Sequence, residues 1–145
     1  MTRAGAAFLA VLSSSALAAG QVSAQAGDLE TAAVGFAELW AEGDASAIAA
    51  VLHRDGVLVA LLGEEYGTLD RRNAEAALRD FLRHHEARGA ALARASEVDG
   101  AVDRGFAEIR WEAVAPGTSE LLRYTIFTGF ERDGANWRIT DLRVL

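Results

Sequence analysis

The sequence predicts an α+β fold in which a curled, mostly antiparallel sheet wraps three N-terminal helices. Segments with helical spacing of apolar residues come first, and one apolar run of strand length, Gly56–Leu62, lies among them. Three long alternating segments end the chain. Strands of such length twist and curl, and a curled sheet with one apolar face needs helices packed inside it. The expected shape is therefore a single cone-shaped domain.

The three terminal segments are Gly105–Ala115, Ser119–Glu131 and Asn136–Leu145. Pro116–Gly117 and Asp133–Gly134 mark the turns between them. Apolar and polar residues alternate along the first two segments, and successive side chains of a strand point to opposite faces. Each strand is therefore predicted to have one buried face and one mostly polar face.

The helices are predicted from stripes of apolar residues. The first begins at an N-cap, Asp28, and ends at Gly43. Asp44 caps a short second helix. The third runs from its N-cap, Asp70, to about Arg88.

Two segments between these elements give weaker signals. Gly63–Thr68 is predicted as a turn, and Ala90–Val98 as a strand that is poor in β-branched residues. The solid apolar run Gly56–Leu62 is predicted as a strand covered on both faces.

The N-terminus has the pattern of a cleaved secretory signal peptide, residues 1–26. Arg3 and the free amine give a short positive region, the apolar run Ala4–Ala19 follows, and Ala24–Ala26 is a small-x-small cleavage site. A single membrane anchor is the alternative, but the run is short and is interrupted by Ser13–Ser15. The mature domain, residues 27–145, is expected to be secreted or periplasmic, with no membrane attachment.

Composition excludes several classes of partner. The net charge is −7 and every basic residue is arginine without a basic run, which argues against nucleic acid and anionic membranes. The chain has no cysteine, so disulfides and thiolate metal sites are excluded. It has no Gly-rich phosphate loop and no nucleophile elbow, and no cofactor is predicted.

Three motifs, Leu39–Asp44, Asp55–Leu58 and Trp137–Ile139, resemble the nuclear-transport-factor-2-like superfamily, which has a cone-shaped, cystatin-like α+β fold. The resemblance covers essentially all of residues 27–145. Asp70–Phe81, with Arg123–Tyr124 downstream, is similar to small secreted bacterial members of unknown function.

The resemblance implies a test for enzymatic activity, because the superfamily includes steroid isomerases. Their chemistry uses a carboxylate base, a tyrosine and a protonated aspartate. The corresponding positions here are Ala60, Phe36 and Ile126. These side chains can neither accept nor donate the proton, so a non-catalytic domain is the prediction. An enzyme of the isomerase or cyclase type with a non-standard active site is the alternative.

That alternative would use Asp141, His85 or Tyr66 as its active group. The sequence leaves open which face of the last strand carries Asp141. His84 and His85 are adjacent on a helix and diverge by about 100°, so they cannot both face one metal ion, and no metal site is predicted. His85 continues the apolar stripe and is expected at the edge of the core.

Two non-catalytic roles are predicted. The first is to hold a small apolar ligand inside the cone, with plain core packing as the alternative. The resemblance points several of these residues inward, and the predicted ligand-binding residues are Phe36, Trp40, Leu58, Ala60, Trp111, Tyr124 and Ile126.

The second role is homodimerisation through the outer face of the sheet. Glu108, Arg110 and Glu112 share one strand face, and Arg123 is available on the neighbouring strand. Phe127 would be an exposed aromatic residue among these charges. Arg110, Arg123 and Phe127 are the predicted contact residues, and solvated cross-strand charge pairs are the alternative.

Overall fold

A computed structural model of the protein describes the backbone of residues 19–145 and the side chains of residues 28–145. The elements are α1 (Ala19–Glu42), α2 (Ala45–Ala50), β1 (Val57–Leu61), β2 (Glu64–Leu69), α3 (Arg71–Arg83), β3 (Glu86–Glu97), β4 (Arg104–Val114), β5 (Leu121–Asp133) and β6 (Asn136–Val144). One sheet has the strand order β2-β1-β6-β5-β4-β3. Among the strands of residues 19–145, only β1 and β6 pair in parallel. The predicted α+β class is confirmed.

Two predictions concern the start of the chain: the signal peptide, which stays open, and the N-cap of the first helix, which is wrong. Residues 1–18 hold the charged part and most of the apolar part of the predicted signal peptide, and they lie outside the described residues. Secretion therefore stays a prediction. Helix α1 already includes Asp28, so the prediction that Asp28 is its N-cap is wrong. Within residues 19–145 no helix is both long and apolar enough to cross a membrane.

The core lies between the inner face of the sheet and the helices. On β4 the inward residues Ala107, Ile109 and Trp111 are fully buried, as the alternation predicts. Helix α1 packs across β3, where both elements are rich in small side chains. This close packing explains why an alanine-rich segment forms a strand of 12 residues, because tertiary contacts override its weak β propensity.

The third helix is shorter than predicted. Its N-cap at Asp70 is confirmed, since the carboxylate accepts a hydrogen bond from the Asn73 N–H. The helix ends at Arg83, where His84 is the C-cap. The residues from Glu86 onward join β3, so Gly89 belongs to a strand.

The predicted turn Gly63–Thr68 is mostly a strand. Leu62 and Gly63 alone make the turn, with φ values of 51° and 87°, and the residues after them form β2. Two consecutive positive φ values are typical of a two-residue hairpin loop. Leucine is an unfavourable residue for this conformation, which explains why the sequence signal was weak.

We expect a Gly56→Ala substitution to destabilise the protein by about 2 kcal/mol. Gly56 precedes β1 with φ of 121°, and an added Cβ would lie 2.9 Å from the Thr68 Cγ2 atom. The matched control is Gly35→Ala in α1, where an added Cβ meets nothing within 4 Å. The control should stabilise by about 0.5–1 kcal/mol because alanine favours a helix. Urea denaturation measures both, and equal midpoints would contradict the prediction.

Candidate functional site

Six rings meet inside the cone and form the aromatic cluster. Its members come from α1, the end of α3, β4 and β5, and they are Phe36, Trp40, Phe81, His85, Trp111 and Tyr124. Trp40 and Trp111 make an edge-to-face contact, with 5.5 Å between ring centroids and 85° between planes. Trp111 and Tyr124 are 5.1 Å apart. Such pairs stabilise a core beyond the area that they bury.

The structure brings five of the seven predicted ligand-binding residues to this region. Phe36, Trp40, Trp111 and Tyr124 belong to the aromatic cluster, and Ile126 lies on the inner face of the same strand as Tyr124. The rings fill the space between them, since Phe36, Trp40 and Trp111 are at most 2% exposed. The cone is therefore closed at these positions, and a ligand would have to displace a side chain.

The prediction that Leu58 and Ala60 line the cone is wrong, because both side chains point away from it. On β1 the buried residues are Val57, Val59 and Leu61, whereas Leu58 is 37% exposed. The prediction that both faces of this strand are covered is also wrong. Val59 pairs with the buried Leu142 of β6, and this pairing fixes which face turns inward.

This correction bears on the isomerase comparison. Ala60, the position that corresponds to the catalytic base, lies on the outer face of β1 and cannot reach the cone. The inward neighbours, Val59 and Leu61, are apolar as well. No inward residue of β1 therefore offers a carboxylate base.

His85 lies at the edge of the aromatic cluster, as predicted from the apolar stripe. Its Nδ1 atom is 2.8 Å from the Phe81 carbonyl oxygen, and its ring is half-buried. The adjacent His84 makes the same kind of bond to Asp80, at 2.9 Å, but its side chain is exposed. Among the described residues no group of three or more His, Cys, Asp or Glu side chains could hold a metal ion.

Two indole groups in the cluster have no hydrogen-bond acceptor in the part of the chain that the structure describes. The Nε1 atoms of Trp40 and Trp111 are buried, and neither has a partner among the described residues. A buried donor without an acceptor costs about 1–3 kcal/mol. Sequence reasoning missed this feature, because a tryptophan at a core position does not reveal where its N–H points.

The outer face of the sheet carries the charged residues of the alternation. Its charged and aromatic members on β3 to β6 include Arg94, Phe106, Glu108, Arg110, Glu112, Arg123, Phe127, Asp141 and Arg143. Phe106 and Phe127 stack, with 5.8 Å between centroids and 19° between planes. The stacking of Phe106 was not predicted, although its period-two spacing from Glu108 places it on this face.

Ion pairs lie on the same face as this stack. Arg94 donates to Glu108 at 2.6 Å, and Arg123 donates to Glu112 at 2.9 Å. The hydrogen bond from Arg94 lowers the pKa of the Glu108 carboxyl below its ordinary value. A depression of about 560 Å³ opens among β3, β4 and β5. Its outward-pointing lining residues are Gly89, Ala91, Arg110, Glu112, Arg123 and Thr125.

Asp141 also lies on the outer face, which answers the question that the sequence left open. A register irregularity between β5 and β6, at Gly129 and Phe130, changes the alternation after Ile139. As a result Leu142 is buried, and Asp141 pairs with Arg143 at 2.9 Å. Of the proposed active groups, Asp141 therefore does not face the cone.

Structural comparisons identify the fold. The chain is similar to a ketosteroid isomerase-like protein from Erwinia carotovora atroseptica, with a TM-score of 0.67 and 14% identity over 83% of this chain and 94% of that chain. A DUF4783 family protein from Bacteroides uniformis gives 0.63 and 15% over 79% and 93%. An NTF-2 like protein of unknown function from Shewanella oneidensis gives 0.60 and 14% over 81% and 96%. No protein-family model and no curated protein matches the sequence.

These similarities define the class to which the structure belongs. The chain has the cone-shaped nuclear-transport-factor-2-like fold, as its sequence motifs suggested. More particularly, its structural neighbours include the ketosteroid isomerase-like and DUF4783 branches of this fold. Identities of 14–15% show the fold and leave the activity open.

We expect Trp111→Ala to destabilise the protein by about 3–5 kcal/mol, since it would leave a cavity at the centre of the aromatic cluster. Tyr66→Ala is the control, because Tyr66 is an aromatic residue with 36% exposure on the edge strand β2. Its cost should stay within about 1 kcal/mol. Thermal and urea denaturation compare the two variants. Similar losses of stability in both variants would show that a ring of the aromatic cluster contributes no more to stability than an exposed ring.

Proposed function

We propose that this protein is a non-catalytic domain that forms a homodimer through the outer face of its sheet. The observation that carries the proposal is the stack of Phe106 and Phe127, which lies among ion pairs on a face that no other described element covers. Phe127 is half-buried rather than exposed as predicted, Phe106 is half-buried too, and the Arg94 guanidinium lies 5.4 Å from the Phe106 ring centroid. The part of each ring that stays accessible forms a patch that a partner can cover.

Further apolar residues extend this patch. Leu58 is 37% exposed on β1. Leu145 is 69% exposed and is joined to Thr125 by two backbone hydrogen bonds of 2.9 and 3.0 Å. Because Val144 points inward, Leu145 lies on the outer side, beside the depression. An interface with apolar residues at its centre and charged residues around them has the usual composition of a protein–protein contact.

The charges favour a second copy of this chain as the partner. A two-fold interface is self-complementary, so it needs both signs of charge within one patch. Glu108, Arg110 and Glu112 alternate in sign along β4, in a chain whose net charge is −7. Within the described residues Arg94 and Arg123 have carboxylate partners, whereas Arg110 has none. Arg110 is thus available to pair with a carboxylate of the second copy.

We expect Arg110→Glu to weaken dimerisation at least about tenfold, because it removes the available cation and adds a like charge beside Glu108 and Glu112. Arg72→Glu is the matched control, since it makes the same charge change on an exposed position of α3. Sedimentation equilibrium over a range of concentrations gives both dissociation constants. Phe127→Ala should also weaken the dimer, without adding charge.

Two results would contradict the proposal. The first is a wild-type protein that remains monomeric at several hundred micromolar. The second is a dimer whose dissociation constant is unchanged by Arg110→Glu and by Phe127→Ala. Either would leave the outer face as a solvated surface with ordinary cross-strand ion pairs.

A second candidate function, the carriage of a small ligand in the cone, is supported by a different observation. The unpartnered indole N–H groups of Trp40 and Trp111 lack an acceptor that a bound molecule could supply. Native mass spectrometry of the protein from its own host should then show extra mass that is lost on denaturation. A bare protein in this measurement would refute the carrier role.

A further inference from the structure

The side chain of His85 is enclosed by three rings at the edge of the cone, and we call these rings the aromatic box. The distance from the His85 ring centroid is 4.3 Å to Phe81, 5.4 Å to Trp111 and 5.7 Å to Tyr124. The Phe81 ring is nearly stacked on the imidazole, at 32°, and Tyr124 meets it edge-on, at 84°. The box is built from α3, β4 and β5.

We infer that the aromatic box is a binding site for a flat nitrogen heteroaromatic ring, and that the His85 imidazole occupies this site when no ligand is bound. The inference rests on the second candidate function above and names the chemistry of its ligand. An imidazole already fits between the three rings, so the box has the size and the π-rich walls that such a ring needs.

The attachment of His85 makes it a displaceable occupant. Its Nδ1 atom contacts only the carbonyl oxygen one helical turn earlier, and no hydrogen bond to Nε2 is present among the described residues. The side chain projects from the residue after the C-cap of α3 and is half-buried. Rotation about its Cα–Cβ bond would carry it into solvent, where the adjacent His84 already lies.

The chemistry of the walls narrows the ligand class. Trp111 forms one wall of the box, and its buried indole N–H has no acceptor among the described residues. A ring nitrogen with a lone pair is such an acceptor. The π systems of Phe81 and Trp111 favour a flat, electron-poor ring over an anion. An uncharged nitrogen heterocycle, with a lone pair on one ring nitrogen, satisfies both requirements.

The test uses His85→Gly with imidazole as the probe, followed by intrinsic tryptophan fluorescence and calorimetry. Removal of the side chain empties the box, and the free imidazole should bind at least about tenfold more tightly than it binds the wild-type protein. His84→Gly is the matched control, because it makes the same backbone change one residue earlier and leaves the box filled. Equal responses of the two folded variants, as judged by circular dichroism, would overturn the inference.

A measurement on the wild-type protein keeps the inference testable if His85→Gly does not fold. Ring currents should shift the Hε1 resonance of His85 upfield relative to that of His84. Excess imidazole should move the His85 resonance towards the position of an exposed histidine and leave that of His84 unchanged. A His85 resonance that stays in place at saturating probe would overturn the displacement.

The two experiments distinguish failure of the proposed binding site from failure of the proposed carrier role. A bare wild-type protein in native mass spectrometry, together with imidazole binding by His85→Gly, would refute natural carriage and retain the site. A copurified ligand, together with identical behaviour of the His85 and His84 variants, would retain carriage and refute this site.

Discussion

The edge-to-face contact between Trp40 and Trp111 is the interaction on which the rest of the structure depends. It joins α1 to the middle of β4, and Trp111 also contacts Phe81 of α3 and Tyr124 of β5. One side chain therefore connects both long helices to two neighbouring antiparallel strands, β4 and β5. Because the interior is close-packed, a change of volume at this position is felt by all four elements. The price of this arrangement is two buried indole N–H groups without acceptors among the described residues.

Residue alternation made the faces of β4 and β5 predictable, whereas β1 and β6 needed long-range information. On β4 every second residue is apolar, so Trp111 could be assigned inward from the sequence alone. The run in β1 is apolar throughout, and only its parallel pairing with β6 distinguishes Val59 from Leu58. The face of Asp141 depends on an irregularity in the pairing of two strands. A local pattern of residues contains no signal for such a shift.

The residues of the candidate site were easier to predict than whether the site is open or filled. Trp40, Trp111 and Tyr124 follow from the periods of a helix and two strands, and the structure brings them together. Whether rings at such positions enclose a cavity or fill it depends on side-chain volumes and rotamers summed over several elements. The apolar stripe placed His85 correctly but extended α3 too far, because the chain after Arg83 still faces the core. Periodicity reports which way a residue faces and does not report where a helix ends.

The two proposed sites share one short segment of β4. Arg110 and Glu112 point to the outer face, and Trp111, which lies between them, forms a wall of the aromatic box. A strand offers its two faces through one backbone, so a ligand that shifted the backbone at Trp111 would also shift Arg110 and Glu112. Any coupling between the sites is reciprocal, because ligand binding changes dimer affinity by the same factor by which dimerisation changes ligand affinity. The backbone of β4 thus places a wall of the proposed box and charged residues of the proposed dimer face on one strand.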